Sequence, residues 1–139
     1  MNPRTVHMAL RGTSTALAVL AAVQVLLAGI FLSGHYVAVR WHMLNGFSMA
    51  VVALLMTIVI FLPGRQHRPS NLVVEAIMVP LALAAQGVLG VFRILELHVP
   101  IGVLMVIGTF QIARFAWKTP LPGREKAREE ASEEAEVLA

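Results

Sequence analysis

Long apolar runs broken by short polar clusters dominate this chain. Four of them carry almost no charge, at about Thr13–Ser33, Trp41–Leu62, Leu72–Phe92 and Leu97–Trp117. Each approaches the ~20 residues that take an α-helix across a ~30 Å hydrocarbon layer. The runs are apolar on every side rather than along one stripe, which argues against the one-faced helices of a water-soluble bundle. The pattern predicts an all-α fold, a transmembrane bundle of four helices spanning residues 13–118. The helices are expected near 13–33, 41–62, 72–92 and 97–117. Residues 1–12 read as an N-terminal extension and 119–139 as a charged tail. The first run is longer than the core of a secretory signal and three similar runs follow it, so it reads as a retained span.

Helix breakers fall between these runs. Pro63-Gly64 closes the second, Pro69 precedes the third, and Pro120 and Pro122-Gly123 follow the fourth. Pro80 lies inside the third run, where it should free the carbonyl of Ala76 and kink the helix. Pro100 is expected at the fourth residue of the last helix, where a missing amide costs little.

Positive charge then orients the bundle. Arg4, Arg11, Arg65, Arg68, Arg114, Lys118, Arg124, Lys126 and Arg128 fall before span one, between spans two and three, or at and after the end of span four. The other two connections hold only Arg40 and Arg93. Short Lys- and Arg-rich segments stay in the cytoplasm, so both termini are expected inside a cell membrane crossed several times. The formal charge of +3 and the mean hydropathy of +0.75 therefore express membrane topology and point to no nucleic-acid partner. With no cysteine and no aspartate, disulfides, thiolate metal sites and aspartate dyads are excluded. Six of the eight acidic residues lie between Glu125 and Glu136, interleaved with basic ones, so the tail reads as a solvated end.

The two halves of the bundle resemble each other. Gln24 is followed four residues on by Ala28, and Gln86 by Gly90. Spans two and four open on a stricter match, His42-x3-Gly46-x2-Met49 and His98-x3-Gly102-x2-Met105. Spans one and three run in the same direction, so the halves are expected to be parallel helical-hairpin repeats about a two-fold axis along the membrane normal. Such an axis sets His42 and His98 at one depth, near the outer surface, across the bundle from each other.

Paired histidines on facing helices can hold a heme between them. Residues at i, i+4 and i+7 share one helix face, so Gly46 and Gly102 would leave room for a porphyrin, with Met49 and Met105 as soft walls below. Arg40 and Arg93 stand where heme propionates would need positive charge. Each of these residues also has an ordinary role: glycine permits helix packing, methionine fills cores, arginine snorkels, and a histidine at a helix end can simply face water. Gln24 and Gln86 are polar groups in an apolar slab, expected to pair across the bundle or to line the cofactor pocket. His35 reads as a loop residue, a third ligand or a proton carrier. His7 and His67 read as solvated, Glu75 as structural, and Trp41 and Tyr36 as interfacial aromatics.

The pattern Gln-x3-small in one helix and an opening histidine in the next, used twice, resembles the halves of heme A synthase. It is more closely similar to a family of small bacterial four-helix membrane proteins of unassigned function. The residues that carry the likeness are His42-Met43-Leu44-Asn45-Gly46, Gln86-Gly87-Val88-Leu89-Gly90 and His98-Val99-Pro100-Ile101-Gly102. The resemblance spans about residues 13–118 and implies the four-helix architecture and heme ligation by His42 and His98. The chain departs from the pattern in three respects. The proline stands two residues after His98 rather than one, there is one four-helix unit rather than two, and no acidic residue lies beside the histidine of the second span. Oxidation of a heme methyl group is therefore not implied.

The expected function is a membrane protein binding heme b through two histidines, an electron-transfer protein or oxidoreductase working near the outer face. Its partners would be the bilayer and a quinone or redox protein, with self-association left open. The alternative is a cofactor-free scaffold or accessory subunit of a larger membrane complex.

Overall fold

The computed structural model describes residues 3–61 and 70–119. Four helices account for nearly all of them: α1 (Pro3–Leu32), α2 (Ala38–Phe61), α3 (Ser70–Val91) and α4 (Leu95–Lys118). All four are long and apolar enough to cross a membrane. The Pro63-Gly64 turn, Pro69, Arg65, Arg68, His67 and the tail from Pro120 lie outside the described residues.

The helices start earlier than the apolar runs suggest. α1 continues back through residues 3–12, so Arg4 and Arg11 are helical rather than part of an extension. α4 begins at Leu95, which moves Pro100 into the second turn. A proline there removes an intrahelical bond to the carbonyl of Glu96, a more costly position than the one expected. Helix propensity, set by backbone and χ1 freedom, does not require an apolar side chain, so hydropathy alone under-reads both starts.

α1 packs on α2 and α4, and α3 also packs on α2 and α4, so α1 faces α3 and α2 faces α4 across the middle. The contact is most extensive between α1 and α2 and least between α3 and α4. Buried positions recur every three or four residues: Leu10, Ser14, Leu17 and Ala21 on α1; Met49, Ala53, Met56 and Ile60 on α2; Thr109, Ile112 and Ala116 on α4. This is the spacing of one helix face. Small residues such as Ser14, Ala21, Ala53, Ala76 and Ala116 let backbones approach, which is how helices associate where lipid is as apolar as their own side chains. The outward faces are also apolar, with Leu26, Phe47, Leu54, Leu81, Leu104 and Phe110 all exposed. In water this would be one continuous sticky surface, and in a bilayer it is solvated by acyl chains.

Both hairpins close with the same backbone device. At the end of α1, His35 N–H donates to Ile30 O at 3.2 Å and Gly34 N–H to Phe31 O at 3.0 Å, with Gly34 at φ 95°. At the end of α3, Ile94 N–H donates to Leu89 O at 2.9 Å and Arg93 N–H to Gly90 O at 3.2 Å, with Arg93 at φ 57°. This is the Schellman ending, whose left-handed residue is ordinarily glycine. An arginine there bears roughly 1–2 kcal/mol of steric cost.

Pro80 lies inside α3, and the carbonyl it frees has a partner. The Thr57 hydroxyl on α2 lies 2.7 Å from Ala76 O and 2.9 Å from Ala53 O. It has one proton to give, and Ala53 O already accepts the amide four residues on, so Ala76 is the carbonyl in need. Thr57→Val should therefore destabilise the folded protein by about 1–2 kcal/mol. Pro80→Ala in the Thr57→Val background should recover most of that loss, because an amide is restored to Ala76 O. A double-mutant cycle of detergent unfolding measures the coupling, and additive effects would mean that Thr57 does not serve this carbonyl.

Candidate functional site

The end of the bundle that carries the two short loops also carries the predicted histidine pair. His42 lies in the second turn of α2 and His98 in the first turn of α4, helices that face each other diagonally. Their ring centroids are 6.2 Å apart, with planes at 59°. Both imidazoles are half-buried.

Each ring is fixed in the same way. His42 Nδ1 lies 3.2 Å from the backbone carbonyl of Gln24, and His98 Nδ1 lies 3.1 Å from that of Gln86. A carbonyl can only accept, so each Nδ1 carries the proton. Each Nε2 keeps its lone pair. A ring held at one nitrogen by a carbonyl and open at the other is the usual state of a metal-ligating histidine. Among the described residues no third histidine, cysteine or carboxylate joins the pair to form a metal-binding group.

The small residues of both motifs make these contacts possible. A Cβ on Gly90 would sit 3.1 Å from His98 Cε1. Glycine four residues beyond Gln86 leaves the His98 ring close against the α3 backbone, and Ala28 stands at the same offset from Gln24 in the other hairpin. A Cβ on Gly46 would sit 3.2 Å from Gln24 Nε2, and one on Gly102 would sit 3.6 Å from Gln86 Oε1. The space beside these two glycines, read from the sequence as room for a porphyrin, adjoins glutamine amides in the structure. Gln-x3-small and His-x3-Gly are therefore two sides of one interlock. The glutamine backbone holds the histidine, and the histidine helix opens a glycine gap for the glutamine side chain.

The two glutamines do not hydrogen-bond to each other among the described residues. Gln24 is met instead by Asn45 on the same hairpin, whose Nδ2 donates to Gln24 Oε1 at 2.6 Å and lies 2.9 Å from Leu20 O. Sequence reasoning passed over Asn45. Its signal was an amide side chain in an apolar run, one residue before a glycine already singled out. The residue at the same offset from His98 is Ile101, which cannot donate. Gln86, 9% exposed, keeps its Nε2 without a partner among the described residues. The two hairpins match at the histidines and differ here.

Arg40 and Arg93 both lie exposed at this end. Tyr36 and Trp41 are exposed there too, with Tyr36 edge-on to Phe31 at 6.0 Å. Met49 is buried in the core with Leu17, Ala53 and Met56, whereas Met105 lines an apolar crevice of about 140 Å³ between α3 and α4. His35 is exposed in the first loop, and His7 is half-buried on α1 far from the pair along the chain.

At the opposite end the structure reveals a contact that the sequence did not suggest. Arg11 reaches from α1 to the C-terminus of α4, donating from Nε to Ala116 O at 3.0 Å and from Nη2 to Thr119 O at 2.8 Å and Trp117 O at 3.3 Å. Its guanidinium lies 5.0 Å from the centre of the Trp117 ring, whose Nε1–H donates to Thr15 Oγ1 at 2.9 Å.

No protein-family model matches this chain, and no curated protein or solved structure matches it either.

Proposed function

We propose that this protein binds heme b, held by His42 and His98, and passes single electrons near the outer face of the cell membrane. The observation that carries this reading is the histidine pair itself. The two rings stand 6.2 Å apart between centroids on helices that face each other diagonally, so one group placed between them could be held by both. Among the described residues no group of three or more potential metal ligands forms here, so a metal held by this pair would have to bring its remaining ligands with it.

The chain's own residues have distinct parts in this reading. The carbonyls of Gln24 and Gln86 hold the rings in the tautomer that offers Nε2. Gly90 gives the His98 ring its room, and the glutamine amides lie beside Gly46 and Gly102. Arg40 and Arg93 would meet the propionates. Arg93 also bears a left-handed backbone where the other hairpin uses glycine, and a side chain retained against that cost supports a function for it. Bound there, the heme would supply one-electron chemistry with both iron faces filled. A membrane quinone or a redox protein would be the exchange partner.

The proposed topology follows the arginine distribution: two parallel hairpins, the histidine end outside and both termini in the cytoplasm. A reporter fused after Ala139 should be active only when it is one that works in the cytoplasm. Activity of an externally restricted reporter at that position would reverse the orientation.

The cofactor-free scaffold has one observation in its favour. The glycine–glutamine and glycine–histidine contacts interlock the helices with nothing else present. Titration of the purified protein with heme b separates the two readings. A sharp Soret band and a split visible band on reduction, saturating at one heme per chain, support heme binding. A protein that stays colourless at saturation leaves the scaffold.

A further inference from the structure

We propose that the α3/α4 side of the histidine pair is a binding site for an isoprenoid quinone, with a ring carbonyl accepting from the Gln86 amide and the chain lying in the crevice below. Three observations lie close together along the α3/α4 seam, with Gln86 itself outside the lining of the crevice. The first is the broken match between the hairpins: Asn45 satisfies Gln24, while Ile101 stands at the equivalent offset on α4. Gln86 is nine-tenths buried and its Nε2–H2 has no acceptor among the described residues. A buried donor left unmade costs about 1–3 kcal/mol, so an acceptor belongs beside it.

The second is the crevice. It is walled by Met78, Val79 and Ala82 of α3 and by Met105, Gly108 and Ile112 of α4, with Thr109 also on its wall. Ala82 and Val79 stand four and seven residues before Gln86, on the same face of α3. Met105 stands three residues after Gly102, the residue against which the Gln86 amide lies. The crevice therefore starts one helical turn below the orphaned donor and runs toward the middle of the bundle. At about 140 Å³ it is comparable with the ~150 Å³ apolar cavity that stays dry and admits a benzene-sized group. Two methionine thioethers on its walls adapt to a flat or kinked hydrocarbon.

The third is that this opening lies at the loosest seam among the described helices. α3 and α4 form the least extensive contact of the bundle, whereas α1 and α2 form the most extensive. A ligand with a carbonyl head and a long apolar tail fits an acceptor-seeking amide above an apolar channel that opens to lipid. A phospholipid, whose carbonyls lie near the headgroups, fits less well, since Gln86 lies five residues inside the end of α3, about 7.5 Å along the helix axis. From the proposed function this takes only that the partner is a redox carrier. Occupancy itself does not depend on heme.

The test uses the full chain in lipid nanodiscs and a short-chain ubiquinone as probe, with dissociation constants measured by titration and heme content followed separately at the Soret band. Wild-type protein should bind about one ubiquinone per chain. Gln86→Leu, which keeps the volume and removes the donor, should weaken binding about tenfold, the factor that ~1.4 kcal/mol of lost hydrogen bond represents. Gly108→Leu should abolish binding while leaving heme content at the wild-type level, because a Cβ there meets nothing within 4 Å and the added side chain fills the crevice. Wild-type protein that takes up no ubiquinone above the empty-nanodisc background overturns the assignment. So does equal binding by wild type and both variants, or retention of phospholipid alone. Ubiquinone bound by a colourless protein would defeat the heme reading and leave this site standing.

Discussion

Replacing either His42 or His98 with alanine will lower heme b affinity by more than ~100-fold and remove the Soret band at stoichiometric heme. On the proposed heme reading the two rings would act as one ligand set, so each single replacement should have nearly the full effect. Altering a second-shell partner of a metal ligand already costs about 10–100-fold, and losing the ligand itself must cost more. The fold should survive. Each imidazole makes one hydrogen bond to a glutamine carbonyl, worth about 1 kcal/mol, and alanine is the better helix former. His35→Ala is the matched comparison, since His35 is exposed in the first loop and outside the facing pair. It should bind heme as the wild type does. Heme binding lost with His35→Ala but kept with His98→Ala would place the iron elsewhere, and unaltered spectra in both pair variants would end the bis-histidine assignment.

Arg11→Ala should destabilise the fold by about 2 kcal/mol. The last four carbonyls of a helix lack intrahelical donors, and Arg11 serves two in the last turn of α4 together with that of Thr119 just past its end. Hydrogen bonds from a charged donor contribute about 1.5–3 kcal/mol, discounted here because part of the contact is exposed to solvent. A cation near a helix C-terminus adds a smaller favourable dipole interaction, and the Trp117 face adds a cation–π contact. Arg11→Lys keeps the charge and loses the fork of donors, so about half the effect should remain. Detergent unfolding of the three proteins measures this order. A change of less than about 0.5 kcal/mol for Arg11→Ala would mean that solvent serves the α4 carbonyls equally well.

Arg11 also illustrates a limit of pattern reading. A basic residue ahead of an apolar run reads as a water-facing flank, because hydropathy scores the residue and not its neighbours. Here it lies inside α1, and its value comes from a helix end more than a hundred positions away. Asn45 and Thr57 escaped notice for the same reason. Each is an isolated polar group whose partner, Gln24 or Ala76 O, lies on another helix.

What the sequence determined by itself is the number, approximate length and apolar character of the helices, the amide missing at Pro80, and His42 and His98 as the residues to watch. These properties are local: span length answers to bilayer thickness, and a missing amide answers to one residue. Tertiary structure alone decided that the two rings stand 6.2 Å apart, that glutamine amides adjoin Gly46 and Gly102, and that Gln86 lacks the partner its counterpart has. Helices that are apolar on every side carry almost no periodic signal for which face turns inward. The rotation and register that bring polar groups together are set by side-chain packing between helices, which no single segment encodes.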